Sequence, residues 1–479
     1  MTAVMPLSDA KRKLLEKYLL AQAAENVAFA WSRPITKRAT DRPAPLSLSQ
    51  EQIWHHVRNQ DLPPLYNESV TIHHTGPLDT FRLEQVLTDI VRRHEIWRTT
   101  FELVDGLPCQ IVHPAPRVHL PVLDLRGIPQ SERESQMAKV LGEDLRKPFN
   151  LADLPLVRFK LVRCAPGVDR LFVMAHQIVI DGVSLYQVFL SELVQGYTAT
   201  SNGKPTTVSD LSIQYSDFAS WQREWLQGDE LAAQIAYWRN QFSRGVPVLA
   251  WPGAPRPSLQ TFRGAFYPFA LSKALTESLK QLSALGRVTL FSVLVACLAA
   301  LLQRYTGQED ITVGTMSPSG RKRSEVQRLL GYFLNPVPLR LTMNSGCTVD
   351  KLVHHCAEAV SGALTHDDIP FHLLEKEIAQ PADPSRNPFF TVATSLEPPL
   401  APVGPEWSLT PMDIESGGAK WDLYVVFDDR PGGIIGRVQY NPDIFDRAAI
   451  STMLHDFECV ARNMIGNTQA RVRDLSAEC

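Results

Sequence analysis

The stretch Met174-Ala-His-Gln-Ile-Val-Ile-Asp-Gly-Val-Ser184 decides how this chain is read. The apolar run Leu171 to Ala175 predicts a short strand ending near His176. Asp181-Gly182 is a turn pair. Beyond it Leu185, Phe189 and Leu193 recur every four residues, the spacing of one helix face, with Ser184 at the expected N-cap. A histidine and an aspartate are thereby held at the mouth of a strand-to-helix junction, where polar side chains can face a cavity.

Working outward, the 479 residues suffice for two to four domains of usual size. With 44% hydrophobic and 21% charged residues the composition is that of a globular protein. The formal net charge of -3 comes without blocks of like charge, which argues against nucleic acid and anionic membranes as partners. The seven cysteines include no C-x-x-C pair and read as reduced thiols of a cytoplasmic protein. Charges from Asp9 to Lys13 leave no apolar signal core, so secretion is not expected. The longest apolar run, Val288 to Leu302, has 15 residues, short of the ~20 that span a bilayer. It predicts a buried helix with Thr289 as its cap.

Leu7-Ser8-Asp9 caps an amphipathic helix over 7–25 whose stripe is Leu14, Leu15, Tyr18 and Leu19. A polar, Pro-containing linker runs from Ser32 to Pro45. The helix and linker (1–45) are either a packing appendage or a docking element for another chain. From Leu46 to Gly228, and again from about 229 to 479, helical and strand patterns alternate irregularly. The expectation is α+β in two lobes, 46–228 and 229–479. Helices are predicted at 83–94, 288–305, 350–364 and 446–464, and strands at 98–101, 108–112, 311–315, 388–395 and 424–427.

The decisive stretch resembles the His-His-x-x-x-Asp-Gly signature of the condensation domains of nonribosomal peptide synthetases, with Gln177 where the second histidine stands. Six further segments resemble that family's motifs in the right order. They are Ser47-Leu-Ser-Gln-Glu-Gln-Ile-Trp54, Arg93-His-Glu-Ile-Trp-Arg-Thr-Thr-Phe101, Tyr215-Ser-Asp-Phe-Ala-Ser-Trp-Gln222, Gly331-Tyr-Phe-Leu-Asn-Pro336, His366-Asp-Asp-Ile-Pro-Phe371 and Pro384-Ser-Arg-Asn-Pro-Phe389. Together they span roughly 340 residues. The resemblance implies two chloramphenicol-acetyltransferase-like lobes in a V-shaped pseudo-dimer, with the site in the cleft between them.

It also implies the chemistry. An amine on an acceptor carrier protein attacks the thioester of a donor carrier protein, and both substrates arrive on phosphopantetheine arms. The chain shows no phosphate-binding loop, adenylation signature or carrier serine motif, so the carriers and neighbouring synthetase modules are expected as partners. No directly bound cofactor, no metal and a monomer are expected. The resemblance leaves open a free-standing enzyme or a piece of a longer synthetase.

Gln177 cannot take a proton, but its amide can accept from an amine or donate to an oxyanion. A positioned base is worth typically ~10²–10⁴-fold. An α-amine has a reference pKa near ~8, so a useful fraction is neutral at about pH 7. Amide formation is therefore expected to survive and ester formation from an alcohol is not; the alternative is a site that has lost its chemistry. By the resemblance His176 is more structural than chemical, and Asp181 pairs with Arg321 to fix geometry. Gly182 is read as a tight-turn residue whose N–H can serve an oxyanion, and Asn335 as a contact for substrate or the pantetheine arm. Two other functions compete with amide formation: a non-catalytic platform that binds carriers or recruits a tailoring enzyme, and an acyltransferase using coenzyme A thioesters.

Overall fold

The computed structural model describes residues 34–39, 42–59, 63–204, 209–251, 256–378, 383–411 and 414–475. The helix expected over 7–25 lies outside them. Among the described residues the strands form three sheets. A five-stranded sheet has the order Trp407–Pro411, Asn67–Thr75, Val168–His176, Val157–Ala165, Val122–Asp124. A six-stranded sheet has the order Asn335–Thr342, Asp310–Ser317, Val392–Leu396, Leu423–Arg430, Gly433–Tyr440, Ala265–Ala270. A small sheet joins Ala44–Pro45, Leu107–Val112 and Thr99–Val104.

The apolar run that predicts a strand over Leu171–Ala175 is continuous because that strand is covered on both faces. Side chains alternate across a strand. Leu171, Val173 and Ala175 enter the main core of the first lobe. Phe172 and Met174 enter a second, smaller core with Met137, Leu141 and Leu145 of the helix Gln130–Leu145.

The second lobe is built on the helix Leu290–Thr306, buried from Ser292 to Gln303. Its N-terminus is capped as expected: the Thr289 side chain accepts from the Ser292 N–H at 3.1 Å. Its C-terminus stops at Gly307, whose φ of 69° is left-handed. The core around it takes residues from both faces of the six-stranded sheet and from the helices Val349–Thr365 and Arg447–Gly466. Among the described residues no single helix is long and apolar enough to cross a membrane.

Two later segments of the chain pack onto the first lobe. Val326, Leu329, Leu330, Tyr332 and Phe333 pack into the core of the first lobe. Trp407–Pro411 adds an edge strand to the five-stranded sheet, with Trp407 opposite His74 and Pro411 opposite Val70. The chain then continues past the first lobe, where Ile414 joins the smaller core. At Gly417–Gly418 it squeezes against Gly264: a Cβ on Gly264 would lie 2.2 Å from the carbonyl carbon of Gly418. The lobes are thus strapped together by 407–411 and 414–419.

Five cysteines, Cys109, Cys164, Cys297, Cys347 and Cys356, are free thiols. Cys459 is disulfide-bonded, which corrects the expectation of reduced thiols throughout.

Candidate active site

His176 is the last residue of its strand, and Gln177 opens a short 3-10 turn, Gln177–Val179. The two side chains part at this point. His176 is buried between Tyr66 and Phe149, with ring centroids at 5.9 and 6.2 Å. Its Nδ1 accepts from the Ile178 N–H at 3.2 Å. Burial, aided by the nearby Lys420 charge, pushes its pKa down to about 3, so the ring is neutral. It braces the turn.

Gln177 turns the other way, toward Lys420 of the second lobe. Its backbone N–H donates to the Tyr66 carbonyl at 2.8 Å, which sets the turn against the neighbouring strand. Its Oε1 accepts from the Lys420 ammonium at 2.5 Å. Lys420 also pairs with Glu68 at 3.3 Å and lies 5.0 Å from the centroid of the Tyr66 ring. Desolvation holds the Lys420 pKa below its ordinary value, with Glu68 opposing the shift. The tyrosine in turn hydrogen-bonds His56 through its hydroxyl at 2.5 Å. Sequence reasoning missed this layer.

Asp181 and Arg321 meet as the sequence expects. Arg321 Nε donates to Asp181 Oδ2 at 3.0 Å and Nη2 to Oδ1 at 2.9 Å. Asp181 also accepts from the Ser184 N–H at 2.7 Å and the Phe333 N–H at 3.1 Å. Ser184 is therefore not the cap: the side chain that caps this helix start is Asp181. The Ser184 hydroxyl instead accepts from Arg321 Nη2 at 2.7 Å and the Gly331 N–H at 3.0 Å, and donates to the Gly331 carbonyl at 2.9 Å. The helix begins as a wide π turn, Ser184–Phe189, before tightening into Leu190–Ser201.

Gly182 has no left-handed φ, so the turn does not require glycine there. A Cβ there would meet Glu397 Oε2 at 3.2 Å, a tight contact with the tip of a flexible side chain. The Glu397 carboxylate faces Arg437 Nη2 at 3.4 Å, and burial pushes its pKa up to about 7 against the pull of that arginine. Gln177, Lys420, Glu68, Glu397 and Arg437 thus form a polar cluster that draws on both lobes. Arg437 also borders a small crevice with Gly264, Gly418 and Gln439.

Asn335 is placed elsewhere. Its Nδ2 donates to the carbonyls of Asp367 at 2.8 Å and Ile369 at 2.7 Å, and its Oδ1 accepts from the Phe371 N–H at 3.1 Å. The side chain is spent on the 367–371 loop. The Arg93–Phe101 segment is structural as well: Arg93 Nε and His94 Nε2 hold the buried Glu192 carboxylate at 3.0 and 2.9 Å. Ser47 and Tyr215, from two further motifs, share a 2.8 Å hydrogen bond, and the Tyr215 hydroxyl donates to the Tyr332 carbonyl. Much of the motif pattern therefore encodes the framework around residue 177. Among the described residues no group of three or more His, Cys, Asp or Glu side chains could hold a metal.

Lys420, Glu68 and Glu397 had one weak signal in the sequence. Lys420 is the one basic residue in Ala419-Lys-Trp-Asp-Leu423, a segment directly after a Gly-Gly pair and ahead of an apolar strand.

Comparison with known proteins fits this geometry. The condensation-domain family model matches residues 41–477. The chain is 33% identical over 462 residues to a linear gramicidin synthase of Brevibacillus parabrevis, covering 95% of this chain and 6% of that protein. It is 32% identical over 469 residues to phosphinothricin tripeptide synthetase PhsC of Streptomyces viridochromogenes, covering 97% of this chain and 42% of that protein. The chain therefore spans less than half the length of either relative. Among solved structures, the first condensation domain of the calcium-dependent antibiotic synthetase aligns with a TM-score of 0.80 at 21% identity, over 92% of this chain and 100% of that one. The X-domain from teicoplanin biosynthesis aligns with a TM-score of 0.80 at 24% identity, over 93% and 100%.

Proposed function

The chain belongs to the condensation-domain family, and from that premise we propose that it joins two thioester-bound substrates through an amide bond. The donor is an acyl or peptidyl thioester and the acceptor an aminoacyl thioester. Each arrives on the phosphopantetheine arm of a carrier protein in a nonribosomal peptide or hybrid polyketide–peptide synthetase of secondary metabolism. We place the reaction in the cytoplasm, with 46–228 and 229–479 as the two halves around the cleft and 1–45 as a docking element.

The observation that carries this reading is the intact frame around Gln177. Asp181, Arg321 and Ser184 are fully bonded to one another and to Gly331 and Phe333. The residue they position sits in a polar cluster with Lys420 and Glu68. Only position 177 departs from the motif, and it still carries a hydrogen-bonding group. The chemistry does not require a base in that place. An aminoacyl thioester has a neutral amine fraction near pH 7, and holding it beside the donor carbonyl supplies much of the acceleration. In the step, the neutral amine nitrogen bonds to the thioester carbon and the carbon–sulfur bond breaks. The nitrogen loses one proton, which ends on the departing thiolate sulfur. An alcohol acceptor, far less nucleophilic without a base, is outside the expected substrates.

The test loads donor and acceptor carriers with short acyl and aminoacyl arms and follows the intact mass of the acceptor carrier. Transfer above the rate without enzyme is expected, and its loss in Gln177→Ala. No transfer across several loaded pairs, together with carrier binding, turns the reading to its alternative. That alternative, a platform that binds carriers and recruits a tailoring enzyme, is favoured by the lack of a base at 177. It is also favoured by the likeness to an X-domain that forms a complex with OxyB, a structure aligning with a TM-score of 0.79.

A further inference from the structure

A glutamine amide has two ends, and which end faces the cleft decides what the residue can do. Turned one way it accepts a hydrogen bond, turned the other it donates. Here the choice is made by Lys420. An ammonium group only donates. It therefore holds the Gln177 carbonyl oxygen, at 2.5 Å. Flipping the amide would set its NH2 against the ammonium and lose a charge-assisted hydrogen bond. Among the described residues the Gln177 NH2 has no hydrogen-bond partner, and it is not among the sealed-off polar atoms.

Lys420 is itself held in place. Glu68 anchors the ammonium at 3.3 Å. The backbone is tied on both sides: the Ala419 N–H donates to the Phe262 carbonyl at 2.9 Å, and the Lys420 carbonyl accepts from Gln260 Nε2 at 3.2 Å. The next residue but one, Asp422, is buried against Arg256. The strap between the lobes thus ends by delivering one ammonium to one amide.

We propose that Lys420 is a positioning residue that locks the Gln177 amide with its NH2 toward the cleft, so that Gln177 donates to the thioester carbonyl oxygen as charge develops there. This rests on the condensation reading. When the amine attacks, the carbonyl π pair moves to oxygen and is held by the Gln177 NH2. It returns as the carbon–sulfur bond breaks and the thiolate takes the nitrogen's proton. Lys420 transfers nothing. The site stabilises charge where the family motif has a histidine, and the acceptor amine must arrive neutral.

Four variants in the carrier-loaded transfer assay separate this from the other roles. Gln177→Glu keeps the shape and satisfies Lys420 but turns no donor to the cleft. It should remain folded and lose on the order of 10²-fold in kcat with KM for either carrier unchanged, the usual effect of removing one oxyanion donor. Lys420→Met should lose about 10-fold or more in kcat, a share of that donor effect, and Lys420→Arg, which also only donates, should restore most of it. Gln177→His should gain no rate, since the imidazole meets the ammonium in place of an acceptor oxygen. Equal or greater activity in Gln177→Glu, or full activity in Lys420→Met, overturns the proposal. A second readout stands apart from turnover. With glutamine-selective ¹⁵N labelling, the side-chain NH2 signals lost in Gln177→Glu identify Gln177. They should shift in Lys420→Met and hold in Lys420→Arg. Signals unmoved in Lys420→Met overturn the lock. An inactive wild type with the shift present removes the condensation reading, and with it the donor role, while leaving the lock.

Discussion

Arg321 grips Asp181 through two parallel hydrogen bonds of 3.0 and 2.9 Å, from a point 140 residues further along the chain. Both side chains are almost wholly buried. The guanidinium also lies 4.2 Å from the centroid of the Phe333 ring and donates to the carbonyls of Val326 and Leu329. This is a joint between the helix start that carries Asp181 and the crossing segment 326–333. Removing one partner of such a buried pair leaves the other charge uncompensated, at a cost of about 3–5 kcal/mol. Arg321→Ala should therefore lower the stability found by urea unfolding by that order. Arg321→Lys, which keeps the charge but cannot form the two-pronged contact, should fall between. An unfolding curve for Arg321→Ala that overlays wild type would show that the joint bears no strain.

His176 gives the fold a dependence on acid. Its pKa is about 3 when folded, against an ordinary 6.5. Between those values the unfolded chain binds a proton that the folded chain refuses. Stability from this residue is thus complete above about pH 6.5 and is lost progressively as pH falls toward 3. At pH 5 the loss is about 2 kcal/mol, from the 1.36 kcal/mol that each pKa unit represents. The measurement compares wild type with His176→Gln at pH 7.5 and pH 5, since other buried histidines titrate in both. Wild type should lose about 2 kcal/mol more than the variant. Parallel losses would mean that the ring takes up its proton without resistance.

Gly264 and Gly418 touch without side chains. A methyl group on Gly264 would sit 2.2 Å from the Gly418 carbonyl carbon, a contact that neither backbone can absorb in place. Overpacking of this kind costs typically ~1–3 kcal/mol. In Gly264→Ala the segment 415–419 should lift from its seat, with a lowered Tm and new sites of limited proteolysis there. Transfer should fall with it, because Lys420 follows that segment directly. A variant with wild-type Tm and digestion pattern would show that the strap has slack.

The sequence made the local features of the site readable and left the distant ones dark. The strand ending at His176 was legible because both of its faces are covered, which leaves an unbroken apolar run. Gln177, Asp181 and Arg321 were legible because the motif and the framework that holds it coincide. Ser184 was misread because hydroxyl and carboxylate are both good caps, and the side chain of Asp181 reaches the same N–H first. The loop-closing bonds of Asn335 were not legible, because an asparagine that closes a buried loop looks the same in sequence as one that faces a ligand. Lys420 meets Gln177 across 243 residues. No spacing or periodicity records such a contact, since it depends on how one lobe's strap crosses the other.

Because the edge strand Trp407–Pro411 is borrowed by the sheet of the first lobe, the two halves of this chain are not separable parts. A first half produced alone would expose Asn67–Thr75 as a bare edge, its backbone donors and acceptors aligned for any passing strand, and it would be prone to self-association. A second half produced alone would carry an apolar ribbon with nothing to pair against. Exchange of lobes between related proteins therefore has a natural seam that does not follow the chain. A chimera needs to carry residues 407–419 with the lobe they cover.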